Sequence, residues 1–204
     1  MLSNGLEAKV GTLGSKYEFF HEWKRLKESD AGRVELETML RGICEKKTFL
    51  DLLENFILYD HSGGRTTKIL ARNHQYLGVN EAVSAYENRK LKDGRLGVFW
   101  HTQGSGKSYS MVFLAQKIRR KFAGSPTIVV LTDRDELNRQ ISDTFENCGL
   151  LGKTKASQFI ASSGTDLVKK AAGQPQLCVY PDPEVQSAQG AAHLPGSRHS
   201  DFVG

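Results

Sequence analysis

The sequence predicts an α/β fold in which a parallel sheet with crossover helices follows a mainly helical region. Two continuous apolar runs, RLGVFW at 95–100 and TIVVLT at 127–132, are each followed by an amphipathic segment. This strand–helix alternation is typical of parallel sheets. Before residue 93, apolar residues recur mostly at helical spacing, which predicts helices there.

Composition and charge limit the classes of protein that this chain can belong to. The 204 residues are 39% hydrophobic and 25% charged, as in ordinary globular proteins. The net charge of +5 is compatible with a polyanionic partner. No apolar run is long enough to span a membrane, and the N-terminus lacks the layout of a signal peptide. We therefore expect a cytoplasmic protein that does not bind membranes.

The region before residue 93 is predicted to contain short strands and then helices. Glycines separate short apolar segments at its start, and later segments have apolar residues three or four positions apart. The predicted elements are a strand–turn–strand unit leading into a helix within 2–26, a helix in 29–45, a helix in 46–60, a loop at 61–68, and a helix pair in 69–90 that is broken near Gly78.

The second half of the chain is predicted to alternate strands and helices. Amphipathic helices are expected at 108–122 and 135–149, each after one of the two apolar runs. Beyond about residue 171 the pattern has no usable period, so residues 172–204 are expected to form a disordered tail. A frameshift near residues 171–176 is one explanation of that change, and a genuine disordered extension is the other.

The segment HTQGSGKS, at residues 101–108, has the composition of a phosphate-binding loop. Glycines let backbone N–H groups approach an anion, and the following helix start adds donors and partial positive charge. In such a loop Lys107 reaches the β- and γ-phosphates and the Ser108 hydroxyl ligates Mg²⁺. The full pattern requires glycine where His101 stands, so only the shorter form, Thr-x-Gly-x-Gly-Lys-Ser, is present.

Several segments together resemble one family of superfamily-two helicases and translocases, the motor and endonuclease (R) subunit of type I restriction enzymes. The resemblance extends from about residue 3 to about residue 171. The segments that carry it are VFWHTQGSGKSYSM, PTIVVLTDRDELNRQ, SNGLEAKVGT, FLDLLENFILYD and KILARNHQYLGVNEAV.

This resemblance implies a domain organisation, ligands and partners. Residues 1–25 would be the end of a nuclease-domain-like segment, 26–92 a helical linker region, 93–171 part of the first RecA-like P-loop motor lobe, and 172–204 the tail. ATP and Mg²⁺ are the implied cofactors. The implied partners are duplex DNA and the specificity and methyltransferase subunits of a restriction–modification complex.

The resemblance also implies roles for individual residues. Nucleotide-binding residues would be Gln75, Thr102, Gln103, Gly104, Ser105, Gly106, Lys107 and Ser108, with Ser108 also at the metal. Gln75 would pair with adenine, whose edge offers a donor and an acceptor to an amide; a surface helical glutamine is the alternative. Thr132, Asp133 and Arg134 would approach the DNA backbone, although Arg134 also suits a solvated helix face.

The sequence assigns no catalytic residue. The acidic Asp-Glu-Ala-His-type motif and the second-lobe arginines that ATP hydrolysis requires are not found. Glu7-Ala8-Lys9 lacks the additional upstream carboxylate of a metal-dependent nuclease and is interpreted as structural. We therefore expect at most ATP binding from this chain alone, and its enzymatic activity stays open. The alternatives are another superfamily-two ATPase, a stand-alone nucleotide-binding module, or an inert product of a truncated or frameshifted gene.

Overall fold

The computed structural model describes residues 1–124, 126–132, 135–151, 160–172 and 177–181. Within these residues, no helix is both long enough and apolar enough to cross a membrane. The helices are α1 Leu36–Ile43, α2 Lys46–Asn55, α3 Asn73–Glu87, α4 Lys107–Lys121, α5 Asp135–Asn147 and α6 Gly164–Ala172. The strands are β1 Leu2–Ser3, β2 Ala8–Lys9, β3 Ile57–Asp60, β4 Thr67–Leu70, β5 Ile128–Thr132 and β6 Leu177–Pro181.

The described strands form three two-stranded sheets. β1 pairs with β2 and β3 pairs with β4, both antiparallel. β5 and β6 are parallel, with Ile128 opposite Leu177 and Thr132 opposite Pro181, and α5 and α6 lie between them in the chain. The predicted mixture of helices and strands is thus confirmed. Within the described part of the chain, the parallel sheet consists of this one pair.

The predicted buried strand at 95–100 is wrong for the described structure. These residues belong to no strand, and Val98 and Trp100 are 94% and 79% exposed. A cavity of about 580 Å³ lies between this segment, α3 and α4. A strand is stable where neighbouring strands satisfy its backbone N–H and C=O groups. No described strand lies beside 95–100, so its apolar sequence is not sufficient to make it a strand.

Three helix predictions before residue 93 also differ from the structure. The helix expected at the end of 2–26 is absent, because residues 20–26 belong to no helix. The helix expected over 46–60 ends at Asn55 and continues as β3, in which buried Leu58 alternates with exposed Tyr59. The break expected near Gly78 is absent, because α3 runs through it. A Cβ atom at Gly78 would lie only 2.2 Å from the Phe99 ring, so close packing explains this glycine better than a helix break.

The tail prediction is wrong for residues 177–181, which form β6 beside β5. Cys178 and Tyr180 are both buried, as expected for residues that share one face of a strand. A strand of five residues is too short for its alternation to be recognised in the sequence without its partner strand. Residues 173–176 and 182–204, which we also assigned to the tail, lie outside the described residues.

Most of the buried apolar side chains form one continuous core. It contains residues from both sides of the boundary predicted between residues 92 and 93. Representative members, all at most 1% exposed, are Met39, Phe56, Val79, Val112, Phe113 and Phe145. The helical region before residue 93 therefore packs directly against α4 and α5.

His21 gives the fold a predicted pH dependence. Burial, followed by the charge of Arg72, lowers the pKa of His21 from 6.5 to about 4. Because the unfolded chain then binds a proton at a pH where the folded chain does not, stability falls as the pH decreases from 6.5 towards 4. We expect the free energy of unfolding to be about 1–2 kcal/mol lower at pH 5 than at pH 7.5. Urea unfolding over this range measures it. An unchanged pH slope in His21→Gln would contradict the assignment.

Candidate functional site

The loop at 101–106 leads directly into the first turn of α4. Gly104 and Gly106 have φ angles of 76° and 84°, a left-handed conformation that glycine adopts without the steric cost of a side chain. The Ser105 N–H donates to the Thr102 carbonyl at 3.3 Å and closes a turn between them. Since the first N–H groups of a helix lack intrahelical acceptors, α4 offers backbone donors directly after this loop.

The Lys107 side chain folds back over the loop. Its Nζ donates to the carbonyl oxygens of His101, at 2.9 Å, and Thr102, at 3.1 Å. Lys107 is exposed, so an anion can compete for the ammonium without unfolding any packed structure. The cation is thus already positioned at the loop.

The only hydroxyl predicted to bind a metal, that of Ser108, follows this lysine at the start of α4 and is half-buried. Within the described ranges, no group of three His, Cys, Asp or Glu side chains could hold a metal ion. Mg²⁺ commonly uses one or two protein oxygens together with substrate phosphates and water. The residues present therefore fit Mg²⁺ that arrives with a nucleotide, and do not form an all-protein metal site.

Gln75 lies in the interior, 3% exposed, so the surface alternative for this residue is wrong. Its Oε1 accepts from the Arg72 N–H at 2.9 Å, and its Nε2 donates to the Gly106 carbonyl at 2.9 Å. Gln75 thereby joins the start of α3 to the glycine that precedes α4. One amide hydrogen and one oxygen lone pair remain for any further contact.

Two histidines at the loop were not predicted as site residues. His74 Nε2 lies 3.0 Å from the Ser105 carbonyl, which can only accept, so Nε2 carries the hydrogen. The His74 ring meets His101 edge-on, with centroids 4.7 Å apart. Burial lowers the pKa of both histidines, which favours the neutral rings at pH 7. The available signals were that His74 adjoins Gln75 and that His101 replaces the glycine of the full loop pattern.

The remaining predicted residues divide into three groups. Thr102, Gln103 and Gly104 are exposed on the loop. Thr132 ends β5 and is 7% exposed, and its Oγ1 has no hydrogen-bond partner among the residues that the structure describes. Asp133 and Arg134 lie outside the described residues. The structure therefore joins Gln75 to the loop through Gly106, and shows no contact between Thr132 and the loop among the described residues.

The sequence profile of the SWI2/SNF2 ATPase family matches residues 74–180, which is more than half of the chain. The chain belongs to the SWI2/SNF2 ATPase family. The matched region of this SWI2/SNF2 chain begins at the first turn of α3 and ends in β6. The match therefore extends past residues 171–176, where the sequence loses its period, and the frameshift explanation of that change stays a prediction.

Curated relatives confirm the resemblance to endonuclease subunits of type I restriction enzymes. Over 183 residues, the chain is 38% identical to the type I restriction enzyme HindI endonuclease subunit of Haemophilus influenzae, covering 85% of this chain and 16% of the relative. It is 30% identical over 198 residues to the MjaIXP endonuclease subunit assigned to a type I restriction enzyme of Methanocaldococcus jannaschii. This match covers 85% of this chain and 18% of the relative. The SWI2/SNF2 chain thus spans less than a fifth of the length of these relatives.

Proposed function

We propose that residues 102–108 bind the triphosphate of ATP together with Mg²⁺. The observation that carries this proposal is the turn with Gly104 and Gly106 in left-handed conformations, directly before α4, with the Lys107 ammonium held at 2.9 Å from a loop carbonyl. A helix start, a flexible turn and a lysine are the elements from which phosphate loops are built. Membership of the SWI2/SNF2 ATPase family supports a nucleotide as the anion.

Each residue of the loop has a separate role in this proposal. The Lys107 ammonium exchanges its carbonyl partners for β- and γ-phosphate oxygens, and the Ser108 hydroxyl supplies one oxygen ligand to the metal. When bound, Mg²⁺ neutralises phosphate charge. Gln75 holds the loop against α3 through the Gly106 carbonyl, and adenine would pair with its remaining hydrogen and lone pair once the nucleotide displaces the groups that cover Gln75.

The wider role that we propose is part of a type I restriction enzyme. The β5–β6 pair, α4 and α5 would belong to a RecA-like P-loop lobe of an endonuclease subunit, preceded by a linker region at 26–92 and a nuclease-like segment at 1–25. Such a subunit would act on duplex DNA together with specificity and methyltransferase subunits. The names of the relatives support this role. Arg134, which follows β5, is the candidate phosphate contact on DNA, and buried Thr132 is the weaker candidate.

Ligand-induced stabilisation tests the nucleotide site. At one hundred times its dissociation constant, MgATP should stabilise the wild-type chain by about 2.7 kcal/mol, because it binds only the folded state. The gain should disappear in Lys107→Ala, which removes the cation from the loop. Thermal melting with and without MgATP measures both.

Lys90→Ala is the matched control, because Lys90 is exposed and outside the loop. MgATP should stabilise Lys90→Ala as much as it stabilises the wild type. Equal stabilisation of wild type and Lys107→Ala would show that nucleotide binds elsewhere.

A further inference from the structure

The helix that follows the phosphate loop is held along one face by residues 51–60, which we call the brace. The brace consists of the second half of α2, Phe56 and strand β3. Tyr109, Phe113 and Lys117 are four residues apart on α4 and therefore share one helix face. Each of the three contacts the brace. The brace lies outside the region 74–180 that matches the SWI2/SNF2 ATPase family.

The contact nearest the loop joins Tyr109 to Asp60. The Tyr109 hydroxyl donates to Asp60 Oδ2 at 2.6 Å, and the Ser62 N–H donates to the other carboxylate oxygen at 2.8 Å. Although burial acts to raise the pKa of Asp60, these two donors lower it overall. Burial and Asp60 raise the pKa of Tyr109, so this pair stays a neutral donor and a carboxylate. Tyr109 adjoins Ser108, so the bond anchors the first turn of α4.

The middle contact is apolar. Phe56 and Phe113 are both fully buried, and their ring centroids are 5.6 Å apart. Beside them, the Gln116 Nε2 donates to the Asn55 carbonyl at 3.2 Å. The centre of α4 is thus fixed to the end of α2 by packing and by one hydrogen bond.

The contact farthest from the loop is an ion pair with little exposure. Lys117 Nζ lies 2.5 and 2.6 Å from the two Asp51 carboxylate oxygens and 2.6 Å from Asn80 Oδ1. The exposed fractions of the Lys117 and Asp51 side chains are 9% and 21%. Desolvation offsets much of the attraction within such a pair, but leaving either charge there without its partner is costly, which disfavours other positions of α4. Lys117 therefore fixes where along the brace α4 lies.

We propose that Asp60 and Asp51 are positioning residues for the nucleotide site, acting on Lys107 and Ser108 through Tyr109 and Lys117. A displacement of the brace then displaces the first turn of α4, and bound nucleotide in turn restrains the brace, because coupling between two sites is reciprocal. This inference rests on the proposed nucleotide binding. It gives the segment before the SWI2/SNF2 match a direct route to the phosphate loop.

Hydrogen exchange of the whole chain, with and without MgATP, tests the coupling. In the wild type, amides of both 102–108 and the brace should exchange about 5-fold or more slowly with MgATP present, the lower end of typical coupling. In Tyr109→Phe, which loses only the hydroxyl, nucleotide should still slow the loop but should have less effect on the brace. Tyr59→Phe is the control, because Tyr59 lies in the same brace but is 52% exposed, and it should behave as wild type.

The wild-type comparison alone can overturn the proposal. If MgATP slows exchange in the loop while the brace is unchanged, the positioning role is wrong and nucleotide binding stands. If neither segment responds, both proposals fail together. Slowing of both segments in the wild type, with the brace response reduced in Tyr109→Phe, supports the proposal, and equal responses in Tyr109→Phe and wild type exclude the hydroxyl as the link.

Discussion

Replacing Phe56 with alanine is expected to lower the free energy of unfolding by about 3–5 kcal/mol, as for other fully buried phenylalanines. The Phe56 ring is fully buried and contacts the Tyr76 and Phe113 rings, with centroids 4.7 and 5.6 Å away. Its removal leaves a cavity between α2, α3 and α4 that the surrounding rings can fill only in part. Urea unfolding measures the loss.

Phe49 provides the matched control for this change. Phe49 lies in α2, the helix that ends directly before Phe56, but it is 45% exposed. Phe49→Ala should cost clearly less than Phe56→Ala, since nearly half of the Phe49 surface already lies in water and leaves no closed cavity on removal. Similar losses in the two variants would contradict the central place of Phe56 in the core.

Replacing Lys117 with methionine is expected to cost about 3 kcal/mol. The apolar stem of the side chain is kept, but Asp51 is left as a largely buried charge without its cation. Adding Asp51→Leu to this variant should recover much of the loss, because the unpaired charge is then removed. Urea unfolding of the two single variants and the double variant gives the coupling energy.

Lys121 is the control for Lys117, because it belongs to the same helix. It pairs with Glu87 at 2.7 Å, but the two side chains are 46% and 42% exposed. Exposed pairs contribute at most about 1 kcal/mol, so Lys121→Met should have a small effect. If Lys117→Met lowers the free energy of unfolding as little as Lys121→Met does, the Asp51–Lys117 pair does not fix α4. The same conclusion follows if the double variant recovers no stability.

The parts of the structure that sequence could predict are those determined locally. The periodicity of α4 and α5 and the continuous apolar run of β5 are visible within windows of a few residues. The two glycines before Lys107 likewise predicted a loop that approaches an anion closely, and both have positive φ angles in the structure. For these elements, local propensity and the final fold agree.

The parts that sequence could not predict depend on distant partners. Residues 95–100 have the composition of a strand, yet no described strand lies beside them. Lys117 belongs to the basic run KIRRKF at 117–122, a composition typical of a charged helix end, and its burial depends on Asp51, 66 residues earlier. His74 reaches the loop carbonyl of Ser105 from α3, which no local pattern indicates. Gln75 contacts Gly106, 31 residues later, so no local pattern could indicate that it lies at the loop. Only the family resemblance named Gln75 as a site residue.

Direct titration of MgATP into the purified chain, followed by calorimetry, tests the central claim about residues 102–108. We expect one nucleotide site per chain in the wild type and in Lys90→Ala, and no measurable binding in Lys107→Ala. If the wild type shows no heat of binding at millimolar nucleotide, residues 102–108 do not bind MgATP. An affinity of Lys107→Ala equal to that of the wild type would also contradict binding at this loop.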